Sequence, residues 1–447
     1  MNPSNHVRLN PLRPQYLLDE IVPFRVSGLT PGQRVVLELE HIDNVQQRWL
    51  ASADMSGDAQ GIADTADAPS RSGSYTGVSQ DGLLWSLAPE GVEDAMTFMR
   101  EARSPMHFGG QPGGERLQPR MYTLRARVDS IEVASASFGL SRIAPDVRVQ
   151  ELNDGPIRGV AFHAAGPGPR RGAIMTVTGS GGGVDLIHGP MLASRGFDVL
   201  ALAHFAYPGR PDELTEIELE YFAEAAAWMR QTFGVERIAV QGGSRGGELA
   251  LVLASYLPEV FCGAVPLSAW HNVVAGWFGA RQVHEGPAWM LRGQPLPYCM
   301  VRFDMDRAQR EAVGGAMAFS PDYLRDAAGD EDDARCAIPV ERCSGPLLLI
   351  SGRDDQVWPA WYGADRVMDR LRAHGRAHLG EHLALENVGH AITLPSLPTS
   401  MSWAMYHPLA KMPLLCGGQP QATARGVRQA WSRMLSFYGE LFAQPGA

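Results

Sequence analysis

The stretch IAVQGGSRGGELALVLA (residues 238–254) predicts a buried strand, a tight turn and a helix in direct succession. It starts with the apolar run Ile238-Ala239-Val240, and residues 248–254 have the length and composition of a helix. The turn between them is Gly242-Gly243-Ser244-Arg245-Gly246, which fits the pattern G-x-S-x-G. With 49 glycines in 447 residues the pattern alone is weak, but this strand–turn–helix setting is what a nucleophilic serine requires. Ser244 is therefore the candidate nucleophile, and an incidental serine in a glycine-rich turn is the alternative.

A serine hydroxyl needs a base, and the base needs an orienting group, before it can act as a nucleophile. The apolar residues 347–350 predict a late strand, and Gly352-Arg353-Asp354-Asp355 follows it directly. In such sites the acid usually stands roughly three residues after the glycine and shortly before a helix start. This spacing favours Asp355 as the acid, whereas Asp354 is expected to cap a turn or to be solvated.

The candidate base is His390, which follows a predicted final strand at residues 383–386. Ser244, Asp355 and His390 then occur in the chain order of the α/β-hydrolase triad. In that arrangement the histidine takes the serine proton, and the aspartate fixes the tautomer of the imidazole. His188, His204 and His271 also lie near predicted strand ends and are expected to be structural or to line the substrate site.

A glycine cluster follows the first clear strand of the second half of the chain, at Thr178-Gly179-Ser180-Gly181-Gly182-Gly183. Glycines expose backbone N–H groups, so Gly181 and Gly182 are candidates for one side of an oxyanion hole. The N–H of Arg245, at the start of the predicted helix, is the candidate for the other side. A phosphate-binding loop is the competing interpretation, but the pattern G-x-x-x-x-G-K-[ST] is absent.

The organisation of the chain changes near residue 150. Before it, alternating runs at residues 24–27, 34–40, 122–128 and 131–138 predict an all-β, Ig-like sandwich, with long loops between residues 52 and 79. After it, near-continuous apolar strands alternate with helical segments such as residues 216–233, which predicts a mostly parallel sheet covered on both faces. We therefore expect an Ig-like domain at residues 1–145 and an α/β-hydrolase domain at residues 146–447.

The connection at residues 270–345 is too long for a simple crossover between two strands. It is rich in tryptophan, methionine and other apolar residues. These properties are typical of a lid over an apolar pocket, and an ordinary packed helical insertion is the alternative.

Composition excludes several classes of protein. The chain is 45% hydrophobic and 20% charged, and no run approaches the ~20 apolar residues of a membrane span. The net charge of −10 without a basic stripe argues against a nucleic acid partner. Five cysteines without a C-x-x-C pair suggest neither a disulfide framework nor a zinc site, so no metal or other cofactor is predicted. The N-terminus lacks a secretory profile and the C-terminus lacks a known address signal, which favours the cytoplasm.

Several segments, in a fixed order along nearly the whole chain, resemble those of one known family. They are residues 26–32 (VSGLTPG), 82–90 (GLLWSLAPE), 181–183 (GGG), 242–249 (GGSRGGEL), 338–341 (IPVE), 345–350 (GPLLLI), 354–358 (DDQVW), 417–420 (GGQP) and 430–431 (AW). Several of them have low specificity alone, but their order and spacing are specific. On these residues the sequence resembles the acyl-CoA thioesterase / bile acid-CoA:amino acid N-acyltransferase family.

This resemblance implies an Ig-like sandwich fused to an α/β-hydrolase domain, with Ser244, Asp355 and His390 as the triad and acyl-CoA as the substrate. Within the family, a cysteine nucleophile favours transfer of the acyl group to an amino acid, whereas serine members mostly hydrolyse acyl-CoA. One departure is the run His390-Ala391-Ile392-Thr393-Leu394-Pro395, where members often have an Ile-Glu-Pro-Pro type stretch after the histidine. The acyl pocket beside His390 is therefore expected to be altered.

The expected function is serine-dependent hydrolysis of acyl-CoA thioesters through an acyl-serine intermediate. An acyltransferase that passes the acyl group to an amine or alcohol is a second candidate, because it needs the same triad. A carboxylesterase acting on oxygen esters is a third candidate, and a binding protein with an inactive hydrolase domain is a fourth. The sequence leaves the acyl group and the oligomeric state open.

Overall fold

The computed structural model describes residues 7–100, 117–164, 166, 172–278, 283–327 and 330–443. The N-terminal region contains nine strands and two short helices among these residues. They are β1 (Arg8–Leu9), β2 (Gln15–Leu17), β3 (Arg25–Ser27), β4 (Arg34–Ile42), β5 (Arg48–Ser56), β6 (Ala63–Asp64), α1 (Gly82–Trp85), β7 (Ala88–Pro89), α2 (Ala95–Arg100), β8 (Arg120–Val128) and β9 (Ile131–Ser141).

These strands form two sheets. The larger has the order β2-β9-β8-β4-β5-β7 and is antiparallel except for the β2–β9 pair, and the smaller is β1-β3-β6. On β4, Leu37 and Leu39 are buried, whereas Glu38 on the opposite face accepts a hydrogen bond from Arg127 at 2.7 Å. This alternation is the pattern of a sheet with one face in the core and one face in solvent. The predicted β architecture of the N-terminal region is confirmed.

The expectation of long loops from residue 52 onward is wrong for residues 52–56. Strand β5 continues through Ser56 and pairs with β4 along its whole length, from Ile42↔Arg48 to Arg34↔Ser56. Its inward residues include Ala51 and Ala53, which are buried. Alanine, serine and aspartate have low β-propensity, so pairing with β4 decides the structure here and the local composition does not.

The C-terminal region contains fifteen further strands and eight further α-helices among the described residues. They are β10 (Arg148–Leu152), β11 (Gly159–His163), β12 (Ala173–Val177), α3 (His188–Ser194), β13 (Asp198–Leu202), β14 (Ile217–Glu218), α4 (Glu220–Phe233), β15 (Ile238–Gly243), α5 (Arg245–Tyr256), β16 (Ala264–Leu267), β17 (Trp277–Phe278), β18 (Val283–His284), β19 (Trp289–Leu291), β20 (Gln294–Pro295), α6 (Met305–Arg310), α7 (Ser320–Ala327), α8 (Asp330–Cys336), β21 (Leu347–Gly352), α9 (Ala360–Ala373), β22 (Gly380–Leu385), β23 (Ala404–His407), β24 (Met412–Leu415) and α10 (Pro420–Ala443).

An eight-stranded sheet organises this region, in the order β10-β11-β13-β12-β15-β16-β21-β22. The pairs β10–β11 and β11–β13 are antiparallel, and every later pair is parallel. Only β12 and β13 exchange places relative to chain order, which is the arrangement of an α/β-hydrolase sheet. The predicted mixed, mostly parallel sheet is confirmed. The predicted crossover helix at 216–233 begins later, at Glu220, because Ile217–Glu218 pairs with β19 as strand β14.

The long connection between β16 and β21 contains β17–β20, α6–α8 and a 3₁₀ turn at Val340–Arg342. Residues 279–282 and 328–329 of the predicted insertion lie outside the described residues. Two tryptophans of the connection, Trp270 and Trp289, are buried. No described helix combines the length and the hydropathy that crossing a lipid bilayer demands.

Asp19 joins the N-terminal sheets to the C-terminal region. Its carboxylate accepts hydrogen bonds from Nε of Arg195 at 2.7 Å and from the indole N–H of Trp431 at 2.8 Å, and Arg195 Nη2 donates to its second oxygen. Nearby, Arg428 on α10 donates to Asp81 at 3.0 Å. The nearly buried carboxylate of Asp19 therefore contacts the C-terminal end of α3, through Arg195, and helix α10, through Trp431.

We expect Asp19→Ala to lower the free energy of unfolding by about 2–3 kcal/mol, because two donors of the C-terminal region lose a charged acceptor. Urea denaturation followed by circular dichroism measures this loss. The matched control is Glu386→Ala, because the Glu386 side chain is 72% exposed in its ion pair with Arg353. Loss of this exposed pair should change the free energy of unfolding by less than about 0.5 kcal/mol. Equal losses in the two variants would contradict a joining role for Asp19.

Candidate active site

Ser244 lies between the end of β15 and the first residue of α5. Its backbone has φ 59° and ψ −125°, which is a strained conformation for a residue with a side chain. Its N–H donates to the carbonyl of Leu267, at the end of β16, at 2.9 Å. The strained turn predicted from the sequence is present, at the N-terminus of a helix of twelve residues.

Two glycines allow this turn to close. A Cβ added to Gly242 would lie 2.2 Å from the carbonyl oxygen of Gly246, and one added to Gly246 would lie 2.6 Å from the carbonyl oxygen of Thr178. Neither contact is possible for a real side chain, and the opposing atoms belong to the backbone, which cannot move aside cheaply. Gly242 is therefore required by the closure of the turn itself, and Gly246 by the packing of α5 against the backbone at the end of β12.

Asp355 and His390 form a buried pair. Nδ1 of His390 lies 2.7 Å from Oδ2 of Asp355, and Oδ1 of Asp355 accepts the N–H groups of Val357 at 3.0 Å and Trp358 at 3.3 Å. Because an ionised carboxylate only accepts, Nδ1 of His390 is the donor of this hydrogen bond. Burial raises the pKa of the Asp355 carboxyl, and the imidazole and the two N–H groups oppose that rise.

The neighbouring Asp354 has different partners. Its Oδ1 accepts from the side-chain amide of Gln356 at 2.8 Å, and its Oδ2 accepts from the N–H of Gly418 at 2.8 Å. It therefore links two loops and is turned away from the imidazole. Of the two adjacent aspartates, Asp355 contacts His390, whereas Asp354 binds a distant loop instead of capping its own turn or being solvated.

The end of β16 connects the serine to the acid–base pair. Leu267 accepts the N–H of Ser244, and the hydroxyl of Ser268 donates to the carbonyl of His390 at 2.9 Å. The indole N–H of Trp358 donates to the carbonyl of Ser268 at 2.7 Å, and its ring lies against the imidazole with centroids 6.2 Å apart. Among the described residues the Ser244 hydroxyl has no direct hydrogen bond to His390. Such contacts often tighten only when substrate binds.

The glycine loop after β12 lies against the nucleophile. A Cβ added to Gly179 would be 3.3 Å from Cβ of Ser244 and 3.7 Å from the backbone nitrogen of Arg245. The N–H of Gly182, however, already donates to the carbonyl of Gly179 at 3.1 Å, inside a turn of the loop. This turn removes Gly182 as a candidate donor to an oxyanion and leaves Ser180 and Gly181.

Arg245 turns its side chain away from the serine into a buried ion pair. Its Nη1 lies 2.6 Å from Oε2 of Glu248, and Glu248 Oε1 accepts from the indole of Trp289 at 3.0 Å and from the N–H of Val274 at 3.3 Å. The guanidinium also donates to the carbonyls of Val274 and Ala275 at 3.1 and 3.3 Å. Burial raises the pKa of Glu248, and Arg245 opposes the rise. The helix after the nucleophile is thus anchored to the 270–345 connection.

The three other histidines near strand ends have structural surroundings. His188 lies 3.4 Å from Asp185, and His271 lies 2.9 Å from Asp333. Burial lowers the pKa of His204 to about 3, so this imidazole is neutral. Within the ranges that the structure describes, no group of three or more histidine, cysteine, aspartate or glutamate side chains is arranged to hold a metal ion.

Comparison with known proteins finds two family profiles that together match most of the chain. The profile described as "BAAT / Acyl-CoA thioester hydrolase C terminal" matches residues 217–444, and "Acyl-CoA thioester hydrolase/BAAT N-terminal region" matches residues 19–154. Acyl-coenzyme A amino acid N-acyltransferase 1 of Mus musculus is 30% identical, over 96% of this chain and 97% of its own length.

The chain belongs to the acyl-CoA thioester hydrolase/BAAT family. Two further members show how names vary within it. Acyl-coenzyme A thioesterase 1 of Homo sapiens is 29% identical, over 94% of this chain and 93% of its own. Peroxisomal succinyl-coenzyme A thioesterase of Mus musculus is also 29% identical, with the same two shares. The family resemblance predicted from the sequence is confirmed, and it covers both the N-terminal sheets and the hydrolase region.

Sequence reasoning missed the role of Glu248. Its signal is an acidic residue within the otherwise uncharged and mostly apolar run at residues 246–254, between Gly247 and Leu249. A carboxylate in such a position is buried and must find a partner, because an unpaired buried charge is very costly. The partner, Arg245, stands three residues earlier on the same helix.

We expect Glu248→Ala to lower the free energy of unfolding by about 3–5 kcal/mol, because it leaves the Arg245 guanidinium buried without its counter-charge. Urea denaturation measures the loss. Asp369→Ala is the control, since its ion pair with Arg372 has the same i,i+3 spacing but both side chains are 59% exposed. This control should change the free energy by less than about 0.5 kcal/mol. Two equally small changes would contradict an anchoring role for Glu248.

Proposed function

We propose that this protein hydrolyses acyl-CoA thioesters through an acyl intermediate on Ser244. The observation that carries the proposal is the buried 2.7 Å pair of His390 and Asp355, joined through β16 to a strained serine at a helix N-terminus. Its substrate class follows from the family, whose named members act on acyl-coenzyme A. A serine as nucleophile favours water over an amine as the acceptor.

In the first half of the reaction, Nε2 of His390 accepts the proton of the Ser244 hydroxyl while Oγ attacks the thioester carbonyl carbon. The carbonyl oxygen becomes an anion in the tetrahedral intermediate. The C–S bond then breaks, and the imidazolium gives its proton to the departing CoA sulfur. In the second half, His390 deprotonates a water molecule that attacks the acyl-serine, and the free acid leaves with Ser244 restored.

The oxyanion needs donors that are already in place before charge develops. The N–H of Arg245 lies in the first turn of α5, where backbone donors have no intrahelical acceptor. The loop after β12 supplies the other side, through the N–H of Ser180 or Gly181. Donors from both sides then meet the carbonyl oxygen of a substrate held against Ser244.

The rest of the chain fits this chemistry. We propose an Ig-like sandwich at residues 1–145, supported by the two N-terminal sheets, and a catalytic domain at residues 146–447. In this proposal the described residues of the 270–345 connection border the acyl side of the site, supported by the hydrogen bonds of Val274 and Trp289 with Glu248. None of the five cysteines, which all lie in the described part of the chain, forms a disulfide bond, and this supports a reducing compartment such as the cytoplasm.

The direct test compares the wild type with Ser244→Ala on a panel of acyl-CoAs and matched oxygen esters. CoA release is measured with a thiol reagent, and free acid by mass spectrometry, with and without excess glycine or taurine. Ser244→Ala should lose about 10⁴–10⁶-fold in turnover and keep its unfolding transition, because only binding and oxyanion donors remain. Conjugates in place of free acid would favour acyl transfer, and preference for oxygen esters would favour a carboxylesterase.

Asp355→Asn should lower kcat by about 10⁴-fold, because an amide no longer holds His390 in the required tautomer. Asp354→Asn should cost less than about tenfold, since its partners are Gln356 and the N–H of Gly418. The comparison is informative because the two residues are adjacent and the substitutions are identical. A larger loss in Asp354→Asn would reverse the assignment of the acid.

A further inference from the structure

A second histidine lies outside the triad and contacts the glycine loop. Nε2 of His407, at the end of β23, lies 2.8 Å from the hydroxyl of Ser180. Its Nδ1 accepts the backbone N–H of Ala410 at 3.0 Å. The hairpin β23–β24 thus reaches across to the loop that borders Ser244.

These two contacts fix the direction of the hydrogen bonds. A backbone N–H can only donate, so Nδ1 of His407 must be unprotonated and Nε2 carries the proton. Nε2 therefore donates to Oγ of Ser180. Because that oxygen is held as an acceptor, the hydroxyl proton of Ser180 remains to be donated elsewhere.

Ser180 lies in the part of the glycine loop that borders Ser244. It directly follows Gly179, whose added Cβ would lie 3.3 Å from Cβ of Ser244 and 3.7 Å from the nitrogen of Arg245. On its other side, a Cβ at Gly181 would lie 3.6 Å from the ring of Pro408, which follows His407. The loop therefore lies between Ser244 and the hairpin, and the Ser180 hydroxyl contacts the hairpin at His407.

We propose that the hydroxyl of Ser180 donates a hydrogen bond to the oxyanion of the tetrahedral intermediate, and that His407 is its positioning residue. This inference rests on the proposed function and adds a side-chain donor to the two backbone donors. The bond forms as negative charge develops on the substrate oxygen and is released when the C–S bond breaks. No proton is transferred, and the neutral imidazole of His407 stays protonated at Nε2 throughout.

The test uses Ser180→Ala, Ser180→Thr and His407→Phe in the full chain. Ser180→Ala should lower kcat by about 10²-fold, as for loss of one oxyanion donor, and leave KM unchanged. Ser180→Thr should restore most of the rate, because it keeps a hydroxyl. His407→Phe should lower kcat by about tenfold, because the hydroxyl is present but no longer oriented. The double variant should be no slower than Ser180→Ala alone, since His407 acts through Ser180.

A binding comparison separates this role from a merely structural one. The affinity for an alkyl trifluoromethyl ketone, which forms a tetrahedral adduct with Ser244, should fall in Ser180→Ala by the same factor as kcat/KM. The affinity for an S-alkyl-CoA thioether, which has no carbonyl oxygen, should not change. Ser344→Ala is the control, because the Ser344 hydroxyl donates to the carbonyl of Pro258 at 2.6 Å and has no part in the glycine loop or the hairpin. This variant should leave both affinities unchanged.

Two results would overturn the proposal: a kcat/KM of Ser180→Ala within about threefold of the wild type, or equal losses of affinity for the ketone and the thioether. The test does not depend on the thioester assignment. Hydrolysis of p-nitrophenyl esters and the rate of fluorophosphonate labelling of Ser244 use the same oxyanion site. A wild type that is active on these reagents and inactive on acyl-CoAs would refute the proposed substrate, and Ser180 could still be judged.

Discussion

The carboxyl end of β16 is the constraint on which the site depends. One residue there accepts the N–H of Ser244, and the next donates its hydroxyl to the carbonyl of His390. Neither bond involves a reacting atom. Together they tie Ser244 and His390, the proposed nucleophile and base, to one interior strand of the sheet, so that two loops far apart in sequence are positioned by the same strand. The same strand end accepts the indole N–H of Trp358, which packs against the imidazole.

The turn around Ser244 and the choice between Asp354 and Asp355 could be predicted from the sequence, because each depends on residues that are close together in the chain. The strand–turn–helix around Ser244 follows from apolar periodicity and from glycines where no Cβ fits, and Asp355 is separated from Asp354 by its place in a turn. The strands β12, β13, β15, β16 and β21 are apolar runs in a buried parallel sheet, which periodicity detects.

The remaining parts depend on contacts between distant segments. Strand β5 is built partly of alanine and serine and is held by its neighbour β4, and β10 and β11 form the antiparallel edge that the sequence pattern did not indicate. The role of Glu248 depends on Trp289 and Val274, from a connection with no motif of its own. His407 carries no local signal at all, because its meaning depends on where the glycine loop after β12 lies. The turn that occupies the N–H of Gly182 is equally invisible in a run of three glycines.

The inward turn of the Arg245 side chain has a consequence for the charge that a substrate meets. The residue after Ser244 is an arginine, whose guanidinium is paired with the Glu248 carboxylate inside the protein and donates hydrogen bonds to two carbonyl groups. In the proposed reaction, a substrate carbonyl bound at Ser244 meets the dipole of the Arg245 N–H group, whereas the guanidinium of the same residue is turned into its ion pair with Glu248. Dipoles fixed in a protein interior are little affected by dissolved ions, whereas exposed charges are screened within about 8 Å at physiological salt. In that reaction, stabilisation of the developing anion by this residue is expected to depend little on dissolved salt, and the Arg245 guanidinium is not available to attract the CoA phosphates.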